Sequence, residues 1–144
     1  MKSYISIVFL FTVSFFYAQN WQTNFEEAQS LAIKENKNIV LVFSGSDWCA
    51  PCMKLEKNIW MSAEFKVEAE KNWVTYKADF PKKKANQLAP EITEQNKVLA
   101  EKYNKGGSFP LVVLLDKNGK VLGMTGFKNV SPAEYIAMIK KFEK

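Results

Sequence analysis

The 144-residue chain has neither histidine nor arginine. Without histidine there is no Ser–His or Cys–His couple and no imidazole ligand for a metal. Any chemistry must run on cysteine, carboxylate, lysine or hydroxyl groups. The formal charge of +5 is therefore carried by lysine alone. Readers of nucleic acid lean on the arginine fork for bidentate contacts, so a lysine-only surplus reads as a solvated surface, and no nucleic-acid role is expected. Cysteine is equally scarce. The two residues, Cys49 and Cys52, both fall within "SGSDWCAPCMKLEK" (44–57). What remains is ordinary: 47% of residues are hydrophobic and 24% charged, the composition of one globular domain with a real core.

Long apolar runs are confined to the N-terminus, "MKSYISIVFLFTVSFFYAQN". One lysine precedes an apolar run from Tyr4 to Tyr17, too short for a comfortable membrane span and suited to a secretory signal. Cleavage is expected after Ala18. Phe16 stands where a small residue is usual, which leaves an uncleaved anchor open. On either reading the domain lies outside the cytosol, with residues 1–18 a signal peptide and 19–144 one domain.

Beyond the signal, "WQTNFEEAQSLAIKENK" carries Phe25, Ala28, Leu31 and Ala32 at helical spacing, with Thr23 or Asn24 as N-cap. "NIVLVFS" (38–44) is a continuous β-branched and aromatic run, the pattern of a strand buried on both faces. "PCMKLEKNIW" predicts a helix with Cys52, Leu55 and Ile59 on one stripe, followed by a helical "SAEFKVEAEKN". "WVTYKAD" (73–79) predicts a second strand, and residues 81–91 a polar connection whose Lys82-Lys83-Lys84 run reads as a solvated loop. A helix is predicted from Ile92 to Tyr103 with Val98, Leu99 and Tyr103 apolar. A strand in "FPLVVLLD", an Asn-Gly turn and a strand in "VLGMTGF" follow. The last helix opens with Ser131 as N-cap and Pro132 at its first position. The order α-β-α-β-α-β-β-α implies a mixed sheet covered by helices.

The cysteine pair admits three readings. As a staple, a four-residue loop stabilises by only about 2 kcal/mol on the chain-entropy model, and it pins nothing distant. As a zinc site it supplies half the ligands, although soft Cu(I) accepts two thiolates, so a Cu(I) carrier stays open. As a reactive pair it stands where a buried strand ends and a helix begins. Cys49 then meets unpaired N–H groups and the positive end of the helix dipole, which stabilise a thiolate. Cys52, in the first turn, can attack a mixed disulfide formed at Cys49. This placement makes Cys49 an exposed nucleophile and Cys52 a buried resolver, and Pro51 stiffens the loop between them.

"DWCAPC" after a hydrophobic strand, "SFP" before a later one and the glycine of "MTGF" together resemble the thioredoxin superfamily over residues 21–144. The nearest likeness is to secreted thioredoxin-like proteins and to the periplasmic thioredoxin-like domain of transmembrane disulfide reductases. The resemblance implies a three-layer α/β/α fold with a mixed sheet of about four strands. It also implies a Cys49 that attacks, a Cys52 that resolves, and Trp48 packed beside them. A cis Phe109–Pro110 bond would border an extended substrate segment along with Ala50 and Pro51. Two departures stand out. Phe43 occupies the position where thioredoxins carry a buried aspartate, which leaves Glu56, one turn after Cys52, as the candidate base. Lys77 would correspond to the lysine thioredoxins place near the same site. The dipeptide is Ala50-Pro51 with no histidine, and Asp47 would raise the Cys49 pKa if it lay near. Both features favour a reductant.

The function expected is therefore reduction of disulfides in extracytoplasmic proteins of a bacterium, in the periplasm or beyond. It would need no bound cofactor or metal and would be fed by a membrane-embedded electron donor. The same chemistry in reverse, as oxidase or isomerase, is the nearest alternative. No dimerisation segment stands out, and the chain is read as a monomer.

Overall fold

The computed structural model describes residues 21–144, so the signal peptide read at 1–18 lies outside the described residues. Its elements are β1 (Trp21–Gln22), α1 (Phe25–Glu35), β2 (Asn38–Ser44), α2 (Ala50–Leu55), α3 (Ala63–Asn72), β3 (Trp73–Asp79), α4 (Pro90–Tyr103), β4 (Leu111–Leu115), β5 (Val121–Thr125) and α5 (Pro132–Lys140). They build one five-stranded sheet in the order β1-β3-β2-β4-β5. β2 lies at its centre, parallel to β3 and antiparallel to β4, and the β4–β5 hairpin is antiparallel. The mixed sheet is the one expected, with an added strand. β1 is two residues long, too short to show a period, and it pairs in parallel with Thr75 and Tyr76 of β3.

The central place of β2 explains its unbroken apolar sequence. Ile39, Leu41 and Phe43 enter a core with Phe25 and Ala32 of α1 and Leu99 and Tyr103 of α4. Val40 and Val42 face the other way, into a core with Leu55, Ile59 and Phe65 and with Tyr135 and Ile139 of α5. Helices therefore cover both faces, and the alternation of the strand divides one sequence run between two cores. Full burial of a side chain such as Phe65 contributes roughly 1.5–3 kcal/mol.

The caps follow local rules. Asn24 caps α1 by accepting from Glu26 N and Glu27 N. Ser131 and Glu134 form a reciprocal capping box on α5, with Pro132 in its first turn. Two helices differ from expectation. The helix carrying Cys52 widens after Leu55 into a π-helical turn, Glu56–Trp60, closed by Met61 N donating to Glu56 O at 3.0 Å. α4 begins two residues early at Pro90, and it turns Asn96 rather than Val98 into the protein. Asn96 is fully buried because it satisfies polar partners on β3: its Oδ1 accepts from Tyr76 OH at 2.7 Å and its Nδ2 donates to Asp79 O at 3.0 Å. Among the described residues no helix is long and apolar enough to cross a membrane.

Candidate active site

β2 delivers the chain to Gly45, whose carbonyl accepts from Trp48 N at 3.2 Å and from Cys49 N at 2.9 Å. The turn so formed folds the Trp48 indole onto Gly45. A Cβ there would stand 2.3 Å from the ring, so only glycine admits this packing. Cys49 is the N-cap of α2, and its Sγ accepts from Cys52 N at 3.3 Å. Gly45 N donates to Cys52 Sγ at 3.5 Å. The two cysteines form a disulfide, with Cα atoms 5.2 Å apart. On reduction, the same N–H group and the helix start favour a thiolate on Cys49.

One expectation changes at this point. Cys49 is 4% exposed and Cys52 3%, so the cysteine expected to attack is covered as well as the one expected to resolve. The residues between them, Ala50 and Pro51, are exposed. What separates Cys49 from Cys52 is its N-cap position and not exposure.

The Phe109–Pro110 bond is cis. Leu111 pairs with Phe43 of β2, which brings Pro110 to the same end of the sheet as the cysteines. Pro110 is buried and Phe109 half-buried. The Phe109 ring lies 5.4 Å from that of Trp48 and 5.5 Å from that of Phe80, an aromatic row along the edge of the site.

Glu56 and Lys77 meet. Their side chains form an ion pair on the wall of a cavity of about 220 Å³ that Cys52, Met53 and Met61 also line. Glu56 is half-buried, and its carboxylate is paired with the Lys77 ammonium. The Lys77 ammonium also lies 4.7 Å from the centre of the Trp21 ring, so β1 contributes to the site. Phe43, in the position of the missing aspartate, is fully buried on the opposite face of the sheet, packed with α1 and α4.

Asp47 has its partners in the loop that follows β3. Its carboxylate is turned to a loop, accepting from Lys82 N and Lys83 N at 2.9 Å each and from Asn86 Nδ2 at 3.0 Å. The N–H of Lys82, then the Asn86 amide, hold its carboxyl below the ordinary carboxylate value. Its charge is engaged by the loop instead of being aimed at Cys49. Ser46, Asp79 and Asn96 also organise the site, and nothing in local periodicity points to them. Ser46 N donates to Asp79 Oδ1 at 2.9 Å across 33 residues of sequence. Among the described residues, no group of three or more His, Cys, Asp or Glu side chains is placed to hold a metal ion.

A Cys-x-x-Cys disulfide at a helix start, at the carboxyl end of a central strand and beside a cis-proline, defines a dithiol–disulfide exchange site. Comparison with known proteins gives the family. Residues 25–143 match the thioredoxin-like domain family, and the chain belongs to it. It is similar to the disulfide bond reductase DsbH of Chlamydia pneumoniae, at 35% identity over 120 residues, covering 83% of this chain and 70% of that protein. It is also similar to the thioredoxin-related protein DsbJ of the same organism, at 30% identity over 95 residues, covering 66% of this chain but only 26% of DsbJ. A solved structure of a DsbH oxidoreductase matches with a TM-score of 0.79 at 33% identity, over 95% of this chain and 94% of that one. The chain is a thiol–disulfide oxidoreductase.

Proposed function

We propose that this oxidoreductase works as a reductase on disulfides of extracytoplasmic proteins in a bacterium. The observation that carries the reading is the Cys49–Cys52 pair capping α2 with the cis-proline alongside. Similarity to a protein named as a disulfide bond reductase supports the direction.

In the reaction, the Cys49 thiolate attacks one sulfur of a substrate disulfide. The substrate S–S bond breaks, its other sulfur leaves as a thiolate and takes up a proton, and Cys49 becomes part of a mixed disulfide. Cys52 then loses its proton and attacks the Cys49 sulfur, releasing the second substrate sulfur as a thiol. Two electrons pass to the substrate, and the protein is left as the Cys49–Cys52 disulfide. Glu56, across the shared cavity, takes the Cys52 proton, and Lys77 holds that carboxylate in place. Phe109, Pro110, Trp48, Ala50 and Pro51 border the substrate segment. No bound cofactor or metal takes part. An oxidising compartment would keep the pair oxidised, so a membrane-embedded donor must return the electrons. Residues 1–18 act as the export signal of this monomeric domain.

The test is the equilibrium reduction potential of Cys49/Cys52 in thiol–disulfide buffers, followed by Trp48 fluorescence. A value near that of thioredoxin, about −270 mV, is expected for a reductase. A value above roughly −180 mV assigns the protein to oxidation or isomerisation instead.

A further inference from the structure

We propose that Lys82, Lys83 and Lys84 form a substrate-recognition element of the redox site and select disulfides flanked by carboxylate side chains. The inference rests on the oxidoreductase reading above and adds a substrate class to it.

The lysine segment is attached to the cysteine motif. Of the three residues before Cys49, Ser46 bonds Asp79, Trp48 Nε1 donates to Phe80 O at 2.7 Å, and Asp47 accepts from Lys82 N and Lys83 N. The backbone of the loop is thus turned inward onto the motif, while all three lysine side chains are exposed. The Lys82 ammonium lies 4.2 Å from the centre of the Trp48 ring. Trp48 in turn contacts Phe109, the residue preceding cis-Pro110. Lys82 therefore stands beside the edge along which a substrate disulfide must approach, and Lys83 and Lys84 follow it in the same exposed loop.

Three consecutive positive charges repel one another, and a loop serving only solubility could let them disperse. Here the backbone holds them in one place, so little further ordering is needed when an acidic segment binds. Asp47 supplies one opposing charge, and its oxygens are directed at the loop backbone. An exposed lysine–carboxylate contact changes an equilibrium by a factor of about 1.4 to 5, so two or three together amount to about tenfold.

The experiment uses the reduced full chain and two cyclic peptides with one disulfide each, identical except for glutamate or glutamine beside the cysteines. Single-turnover rate constants are taken relative to reduction of the same peptides by dithiothreitol, at about 10 mM and about 1 M salt, where the Debye length falls from about 30 Å to about 3 Å. The glutamate peptide is expected to react about tenfold faster at low salt, with the ratio near one at high salt. The preference should vanish in K82Q/K83Q/K84Q. It should survive in K34Q/K117Q/K120Q, which removes the same charge at the opposite end of β2. Equal rates in the unmodified protein overturn the inference and leave the oxidoreductase reading standing. A preference lost equally in both triple variants overturns it in favour of overall charge. Reduction of neither peptide overturns both readings together.

Discussion

Lys77 of β3 and Glu56 of the helix that carries Cys52 form an ion pair on the wall of the cavity that Cys52 also lines. The pair draws together residues 21 positions apart in sequence, because Lys77 lies opposite Val42 in the parallel ladder and so faces α2. Glu56→Gln keeps the shape of this wall and removes the carboxylate proposed to accept the Cys52 proton. The mixed disulfide at Cys49 should then persist about a hundredfold longer at neutral pH, the low end of a general-base contribution. Raising the pH should restore the rate, since a free cysteine ionises unaided near pH 8.5. Quenched-flow alkylation measures this lifetime. An unchanged lifetime would remove Glu56 from the proton path.

The near-equal burial of the two cysteines makes their roles a matter for substitution. Cys52→Ser should trap covalent adducts at Cys49, visible by mass spectrometry without reductant. Cys49→Ser should form none, and turnover in both variants should fall to the uncatalysed background. Adducts found at Cys52 would reverse the assignment.

Gly45 is held by contact and not by its backbone angles. A methyl group there would meet the Trp48 ring at 2.3 Å, and that indole is bonded to Phe80 O. Gly45→Ala should therefore displace Trp48 and lower stability by about 1–3 kcal/mol, the usual range for overpacking. Urea unfolding with tryptophan fluorescence reads both effects at once. An unaltered midpoint would mean the indole moves aside freely.

Burial pushes the Tyr76 phenol up to about 12 and the Tyr135 phenol up as well. In the unfolded chain both ionise near pH 10. Between that pH and the folded-state value, the unfolded chain has lost a proton that the folded protein keeps. Stability from this source is thus complete below about pH 10 and lost as the pH rises toward 12. Urea midpoints should fall steeply above pH 10. Tyr76→Phe should flatten that slope, while it also forfeits at every pH the bond to Asn96. A slope unchanged by the substitution would show that other groups carry it.

Much of the fold was legible in sequence. The strand Asn38–Ser44, Asn24 as one of the two caps offered for α1, the cap Ser131, the Asn-Gly turn and the Cys-x-x-Cys at a helix start all stand where they were expected. Other features were not. β1 is two residues with no period to show, and its partner β3 lies some fifty residues on. Val98 has the apolar side chain that patterning sends inward, yet Asn96 is buried because Tyr76 and Asp79 offer it hydrogen bonds. Asp47 sits two residues from Cys49 and still turns its carboxylate to Lys82 and Lys83.

By itself the sequence determined local quantities: most of the helices and strands, several of their caps, and that two cysteines share a helix start after a buried strand. These depend on hydrophobic period, capping and turn chemistry within a few residues. Tertiary structure alone decided the company each reactive group keeps. The Glu56–Lys77 pair, the anchoring of the lysine loop by Asp47 and the aromatic row from Phe80 to Trp48 join residues about 20 to 40 positions apart, or more. The physical reason is that strand order and register place those side chains together, and neither is written in the periodicity of any one segment.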